Sequence, residues 1–212
     1  MADRRSYRQF CGLARSLDIV GERWTLLLVR ELLLGPRRYS DLLESLPGLT
    51  TNLLASRLKQ LEGDGLVAKT PLAGSRATAY QLTERGAALE PVIMELGRWG
   101  GALMDAPRPE ERVDMAWGLI SMKRRFRGGK KLRALFEIDG RSFTLSFEGD
   151  YLSVQERGTD AADVRVTGPL MAFRKWLFMG AELSTLEDEG LMQVGGKARS
   201  RERLLKAFDG LN

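Results

Sequence analysis

The chain has 212 residues, enough for one large domain or two small ones, and 43% hydrophobic with 29% charged content describes a soluble globular protein. A net charge of +5 favours an anionic partner without deciding one. The absence of histidine and the single cysteine, Cys11, exclude Ser-His-Asp and Cys-His nucleophile systems, His-containing zinc sites, Cys-rich metal clusters and intrachain disulfides.

Tyr7 to Leu17 reads as a first helix with Phe10, Leu13, Ala14 and Leu17 as its apolar stripe. Glu22 to Leu34 reads as a second, leucine-rich and buried, carrying Trp24, Leu27, Leu28, Glu31 and Leu32 at helical spacing. Gly35-Pro36 ends it. From Arg37 to Leu66 the chain breaks into a short helix, a turn at Pro47-Gly48 and a longer helix. Thr50 or Thr51 caps that longer helix, which runs to Gly63. At 100° per residue, Leu53, Leu54, Leu58 and Leu61 share one side of it, whereas Asn52, Ala55, Ser56 and Lys59 share the other. Asn bonds adenine in a bidentate way, Ser reaches base or phosphate, and Lys suits guanine or phosphate. The face suits a helix-turn-helix reader that also includes Thr51; an ordinary amphipathic helix with a solvated face remains open. Arg57 falls among the leucines and is expected to pair with Asp41 of the preceding helix. Arg37 and Arg38 are expected to hold phosphates.

Leu66 to Thr70 and Thr78 to Leu82 read as a hairpin around Ala73-Gly74-Ser75-Arg76, a wing that places Arg76 beside a duplex. Thr83 caps a further helix with Leu89, Val92, Ile93, Leu96, Trp99 and Leu103 along one stripe, which Pro91 kinks or interrupts. A second subunit is the expected cover for that stripe; packing within the subunit is the alternative.

Several motifs in order carry a family resemblance. They are Asp18-Ile19-Val20-Gly21-Glu22-Arg23-Trp24-Thr25-Leu26-Leu27, Gly35-Pro36 with Arg38-Tyr39-Ser40-Asp41-Leu42, and Leu46-Pro47-Gly48-Leu49-Thr50. Leu58-Lys59-Gln60-Leu61-Glu62, Gly65-Leu66-Val67, Tyr80-Gln81-Leu82-Thr83, and Pro91-Val92 through Trp99-Gly100 complete the set. Together they resemble the HxlR-type winged helix-turn-helix transcriptional regulators over about residues 8 to 104. The resemblance implies a bacterial homodimer that binds double-stranded DNA at an inverted repeat. It departs at the wing, where Ser75, Arg76, Ala77, Thr78 and Ala79 replace the family's prolines and acidic residue. It also implies that Cys11 senses oxidants or electrophiles; a small buried apolar residue is the alternative.

Asp105 to Glu110, with Pro107 and Pro109, reads as a linker between a domain at 1–106 and another at 107–212. A helix from Glu111 to Phe126 follows, ending in the basic residues Lys123, Arg124, Arg125, Arg127, Lys130 and Lys131. These could touch DNA flanks or complement the helix dipole. Gly128-Gly129-Lys130 lacks the leading glycine and the Ser or Thr of a phosphate loop, as does Gly195-Gly196-Lys197. A meander of strands comes next: Leu132–Ile138, Ser142–Phe147, Tyr151–Glu156, then Asp163–Thr167. A helix opened by Pro169, a strand Gly190–Val194 and a helix capped by Ser200 finish the chain. That order, with Asp163-Val164-Arg165-Val166-Thr167-Gly168, Gly180-Ala181-Glu182-Leu183 and Gly190-Leu191-Met192-Gln193-Val194-Gly195-Gly196, resembles the sterol-carrier-protein-2-like domain. The resemblance implies a tunnel for a lipid or other apolar small molecule, lined by Phe136, Phe143, Phe147, Phe173, Trp176, Phe178 and Met192. A filled core is the alternative for each.

The expected fold is α+β: a winged helix-turn-helix domain followed by an α/β domain with an antiparallel sheet. The expected function is a dimeric DNA-binding regulator, repressing, modulated by an apolar ligand. The alternative is a lipid carrier whose winged domain only dimerises. No catalysis, metal or cofactor is expected. With no signal peptide visible and apolar runs cut at Arg30 and Glu31, short of about 20 residues, we expect a cytoplasmic protein without membrane insertion.

Overall fold

A computed structural model describes residues 6–72, 77–105, 107–123, 126, 128–157 and 161–208. The chain divides into two compact units, residues 1–102 and 103–212.

In the first unit, α1 (Gly12–Val20) starts later than its apolar pattern predicts. Cys11 is extended, and the preceding segment folds back so that the Ser6 hydroxyl and the Tyr7 amide donate to the Asp18 carboxylate, each at 2.9 Å. The second helix is also shorter than expected: α2 (Thr25–Leu32) begins after Trp24, whose φ of 78° is left-handed. That conformation costs a bulky residue on the order of 1–2 kcal/mol. The Trp24 ring lies 3.7 Å from the place a Cβ on Gly48 would occupy, and the Arg23 guanidinium stacks 5.2 Å from its centre. Glu22, Arg23 and Trp24 thus form a corner instead of a first helical turn.

A two-residue strand, β1 (Arg37–Arg38), leads into α3 (Tyr39–Ser45). After a turn with Gly48 at φ 86° comes α4 (Thr51–Gly63), capped as expected by the Thr50 hydroxyl accepting from the Leu53 amide at 3.4 Å. Leu54, Leu58 and Leu61 of α4 pack with Leu28, Val29, Leu32, Leu42, Leu66 and Val67 into one core. The hairpin of β2 (Val67–Pro71) and β3 (Thr78–Leu82) follows, and β1 adds to the far edge of β3, giving the order β1-β3-β2.

The stripe after the hairpin is interrupted, as Pro91 predicts. Helix α5 (Glu84–Ala87) ends before α6 (Glu90–Gly101), with Pro91 in the first turn of the latter. Thr83 caps α5 by accepting from the Gly86 amide at 3.1 Å, while its own hydroxyl donates to the Gly65 carbonyl at 2.6 Å. No residue of α6 is buried. A Cβ on Gly86 would stand 2.0 Å from the Leu66 carbonyl oxygen, a backbone atom that cannot move aside. Gly86→Ala is therefore expected to destabilise this unit by about 1–3 kcal/mol, read from urea unfolding.

The second unit opens with α7 (Met115–Met122), shorter than the predicted Glu111–Phe126 because Asp114 caps it, accepting from the Ala116 amide at 2.9 Å. Next come β4 (Gly129–Ile138), β5 (Arg141–Gly149), β6 (Tyr151–Glu156) and β7 (Val164–Gly168). They are followed by α8 (Leu170–Phe178), α9 (Leu183–Asp188), β8 (Gln193–Gly196) and α10 (Ala198–Phe208). Ser200, expected as a cap, lies inside α10. Asp139-Gly140 makes the predicted two-residue turn, both at positive φ.

The sheet, in order β6-β5-β4-β7-β8, is mixed and not wholly antiparallel as expected. Strand β7 runs parallel to β4, with Ala134 opposite Val164 and Ile138 opposite Gly168. Alternating hydrophobicity reads the same whichever way a strand runs, so the pattern carried no signal of this. One face is apolar: Phe136 lies 5.2 Å from Phe173 and 5.7 Å from Trp176, ring centre to ring centre, and Phe208 lies 5.3 Å from Trp176.

Asp114 joins α7 to the sheet through Arg141 at 2.8 Å and also binds Arg112 at 3.0 Å; Arg141 in turn holds Glu156 at 2.8 Å. Burial alone would raise the Asp114 pKa, but the Ala116 amide, Arg141 and Arg112 outweigh it and hold it below the usual carboxylate value. A depressed folded-state pKa contributes stability above the unfolded value, near 3.9, that is lost as pH falls through the folded one. The unit's acid unfolding should accordingly begin below about pH 4, and Asp114→Asn should flatten that limb in pH-dependent denaturation.

Candidate nucleic-acid interface

The buried leucines of α4 fix which side of the helix faces away from the core. Thr51, Asn52, Ala55, Ser56 and Lys59 are all exposed on that side. From Asn52 to Lys59 the face runs about 10 Å, two helical turns. The Tyr39 hydroxyl donates to the Thr51 carbonyl at 2.6 Å, tying the start of α3 to the start of α4. Short polar side chains with a cation farther along the same exposed face suit the groove of a duplex.

The predicted Arg57–Asp41 pair does not form. The Arg57 guanidinium, 12% exposed, binds the Glu22 carboxylate at 2.8 Å, the Arg23 carbonyl at 3.2 Å and the Gln60 side chain at 2.7 Å. It points toward the corner before α2, not toward α3. Asp41 instead closes the start of its own helix, accepting from the Arg38 amide at 3.3 Å. Partners 35 residues apart in sequence give helical periodicity nothing to detect, so Glu22 was missed.

The phosphate-holding role expected of Arg37 also fails. Main-chain pairing of β1 with β3 sets Arg37 opposite Tyr80 and Arg38 opposite Ala79, and Arg37 is only 8% exposed. A strand turns alternate side chains to opposite faces, and Arg37 received the inner one. Arg38 is half-buried. Arg76 lies outside the described residues. On the hairpin, Lys69 is exposed, 3.4 Å from Glu62 and over the Tyr80 ring at 5.7 Å.

Cys11 is exposed rather than buried. The backbone amides of Ala14 and Leu13, at the opening of α1, lower its thiol pKa; neighbouring arginines are not the cause. Of the seven candidate ligand-lining residues, Phe136, Phe143, Phe147, Phe173, Trp176 and Met192 are buried, and Phe178 is 37% exposed.

A helix-turn-helix with a wing and an open polar face on its second helix defines the class: a winged DNA-binding protein. A family model described as "HxlR-like helix-turn-helix" matches residues 19–107. The HTH-type transcriptional regulator YvaP of Bacillus subtilis (strain 168) is 35% identical over 92 residues, covering 43% of this chain and 85% of that protein. Mb3122 of Mycobacterium bovis, named as the same kind of regulator, is 40% identical over 100 residues, 47% of this chain and 61% of its own length. Among solved structures, the reduced form of the transcriptional regulator YodB from B. subtilis is 30% identical. It covers 47% of this chain and 100% of that one, with a TM-score of 0.40. The chain belongs to the HxlR-like helix-turn-helix family, and it is a DNA-binding transcriptional regulator. The lipid-carrier alternative is not favoured.

A double-mutant cycle tests the relocated ion pair. Glu22→Ala and Arg57→Ala should couple by about 0.5 kcal/mol or more in unfolding free energy, whereas Asp41→Ala and Arg57→Ala should add independently.

Proposed function

We propose that this regulator binds an inverted-repeat operator as a homodimer and represses, with Thr51, Asn52, Ser56 and Lys59 of α4 entering the major groove. The observation that carries this reading is the exposure of those side chains on a helix whose opposite side is locked into the core. Arg38, half-buried beside the hairpin, is assigned a backbone contact, and Arg76 the wing's contact.

The homodimer rests on the apolar surface left uncovered in the first unit. Phe10, Leu13 and Leu17 on or before α1, and Val92, Leu96 and Trp99 on α6, are exposed, Trp99 at 69%. Apolar patches of this kind on two helices of one unit fit a self-complementary interface. Two copies related by a two-fold axis would set their α4 helices about 34 Å apart, one turn of DNA.

Cys11 is proposed as a thiol sensor, supported by its exposure and its lowered pKa. The second unit is proposed as a sterol-carrier-protein-2-like domain, supported by its order of elements. An apolar ligand there would enter beside Phe178, the one candidate lining residue with open surface.

Three substitutions separate these roles in titrations of a labelled duplex from the promoter of its own gene. Lys59→Ala should weaken all duplexes alike and reduce the salt slope by about 1. Asn52→Ala should relax base preference at one position, costing about 1–3 kcal/mol against the preferred sequence. Trp99→Asp should yield monomers in sedimentation and lose the operator. Unchanged operator affinity in all three would end the proposal.

A further inference from the structure

The second unit gathers cations at one end of its sheet. The end of α10 packs on the beginning of β4, where the Ala207 Cβ comes within 4.0 Å of the place a Cβ on Gly129 would take. Lys130 and Lys131, both exposed, stand at the start of β4 near this junction, and α10 carries the exposed Arg199 and Lys206 with the half-buried Arg203. Glu202 stands among them, 2.7 Å from Lys206, and its pKa is lowered by Lys206 first, then by Arg199 and Lys130. At the adjoining corner Lys123 lies over the Tyr151 ring at 5.5 Å.

Among the described residues, the anions at this end are Glu202, Glu148, which is 3.2 Å from Lys131, and Asp150, which borders Gly128. Among the described residues, six cations thus stand near this end with three carboxylates, whereas other cations of the unit are paired with acids, such as Arg201 with Glu187 and Arg165 with Glu137. None of the lysines is sunk into a pocket that would fix it on a single ligand. Lysine ammoniums on mobile stems act as point charges and recognise phosphate without reading bases.

We propose that this basic end, centred on Lys130, Lys131 and Lys206, is a second DNA contact that grips the phosphate backbone flanking the operator. It rests on the reading of the first unit as the operator-binding part. A duplex held by that unit presents phosphates to a domain tethered on the same chain, so the second encounter is intramolecular and needs little affinity of its own.

The test uses the full chain and two duplexes with the same centre, one of about 20 base pairs and one of about 60. Affinity is measured between about 50 and 200 mM salt. Wild type should bind the longer duplex more tightly and with a steeper salt slope. The triple variant Lys130→Gln, Lys131→Gln, Lys206→Gln should lose that length-dependent gain and about 0.9 of slope for each phosphate released, with base preference intact. The matching triple Arg variant should keep both, which separates charge from folding. Equal slopes and equal length dependence in wild type and Gln variant would overturn the proposal. So would wild type that binds the short duplex and gains nothing from the long one. Capture of wild type but not the Gln variant by phosphatidylserine vesicles, with DNA binding the same in both, would overturn it in favour of a membrane contact. Failure of wild type on either duplex would remove the operator reading as well.

Discussion

The outward face of α4 is only as well aimed as the helix is well seated, and two unlike anchors seat it. Leu54, Leu58 and Leu61 supply the non-directional part, apolar area withdrawn from water. Arg57 supplies direction. Its planar guanidinium spans from α4 to the corner before α2, and a fork with fixed donor angles resists rotation about the helix axis in a way a leucine cannot. The corner it grips is itself unusual, since Trp24 is held in a left-handed conformation with its ring against Gly48 in the turn between α3 and α4. Arg57 and Trp24 together connect α4, the turn before it and the segment that follows α1.

The arrangement has a consequence for how a signal at the N-terminus would travel. Cys11 opens α1, and Val20 closes it directly before the Gly21–Trp24 corner. A tilt of α1 would thus be felt at Glu22 and Arg23, both bonded to Arg57. Packed interiors pass displacements as rigid shifts, so a short chain of contacts is a sufficient lever.

Much of the first unit was legible because its signals are local. Leucine spacing, Thr50 and Thr83 as caps, and Pro47-Gly48 and Pro91 as breaks each act within one turn of the residue that carries them. The outward set Asn52, Ser56 and Lys59 followed from the same periodicity. The errors share a different character. Arg37, expected to hold a phosphate because it stands just before α3, is turned inward by a ladder of hydrogen bonds to β3. Arg57 was expected to pair with Asp41 of the preceding helix, but its partner in space is Glu22. The parallel pairing of β4 with β7 was invisible for the same reason, because direction of pairing is a tertiary property. The aromatic residues of the second unit could be seen to be apolar but not to lie ring against ring.

Helix α6 has twelve residues and buries none of them. A peptide of that length is marginal as an isolated helix in water, and within the unit α6 is held through Ile93, packed half-buried against the core, while its outer side stays open. Were a second copy to cover that side, folding of this element and assembly would be linked, and the amount of protein in a cell would bear on both. A scarce regulator of this design would lose its grip on DNA and the integrity of its last N-terminal helix together, and dilution would act on it as a mild denaturant.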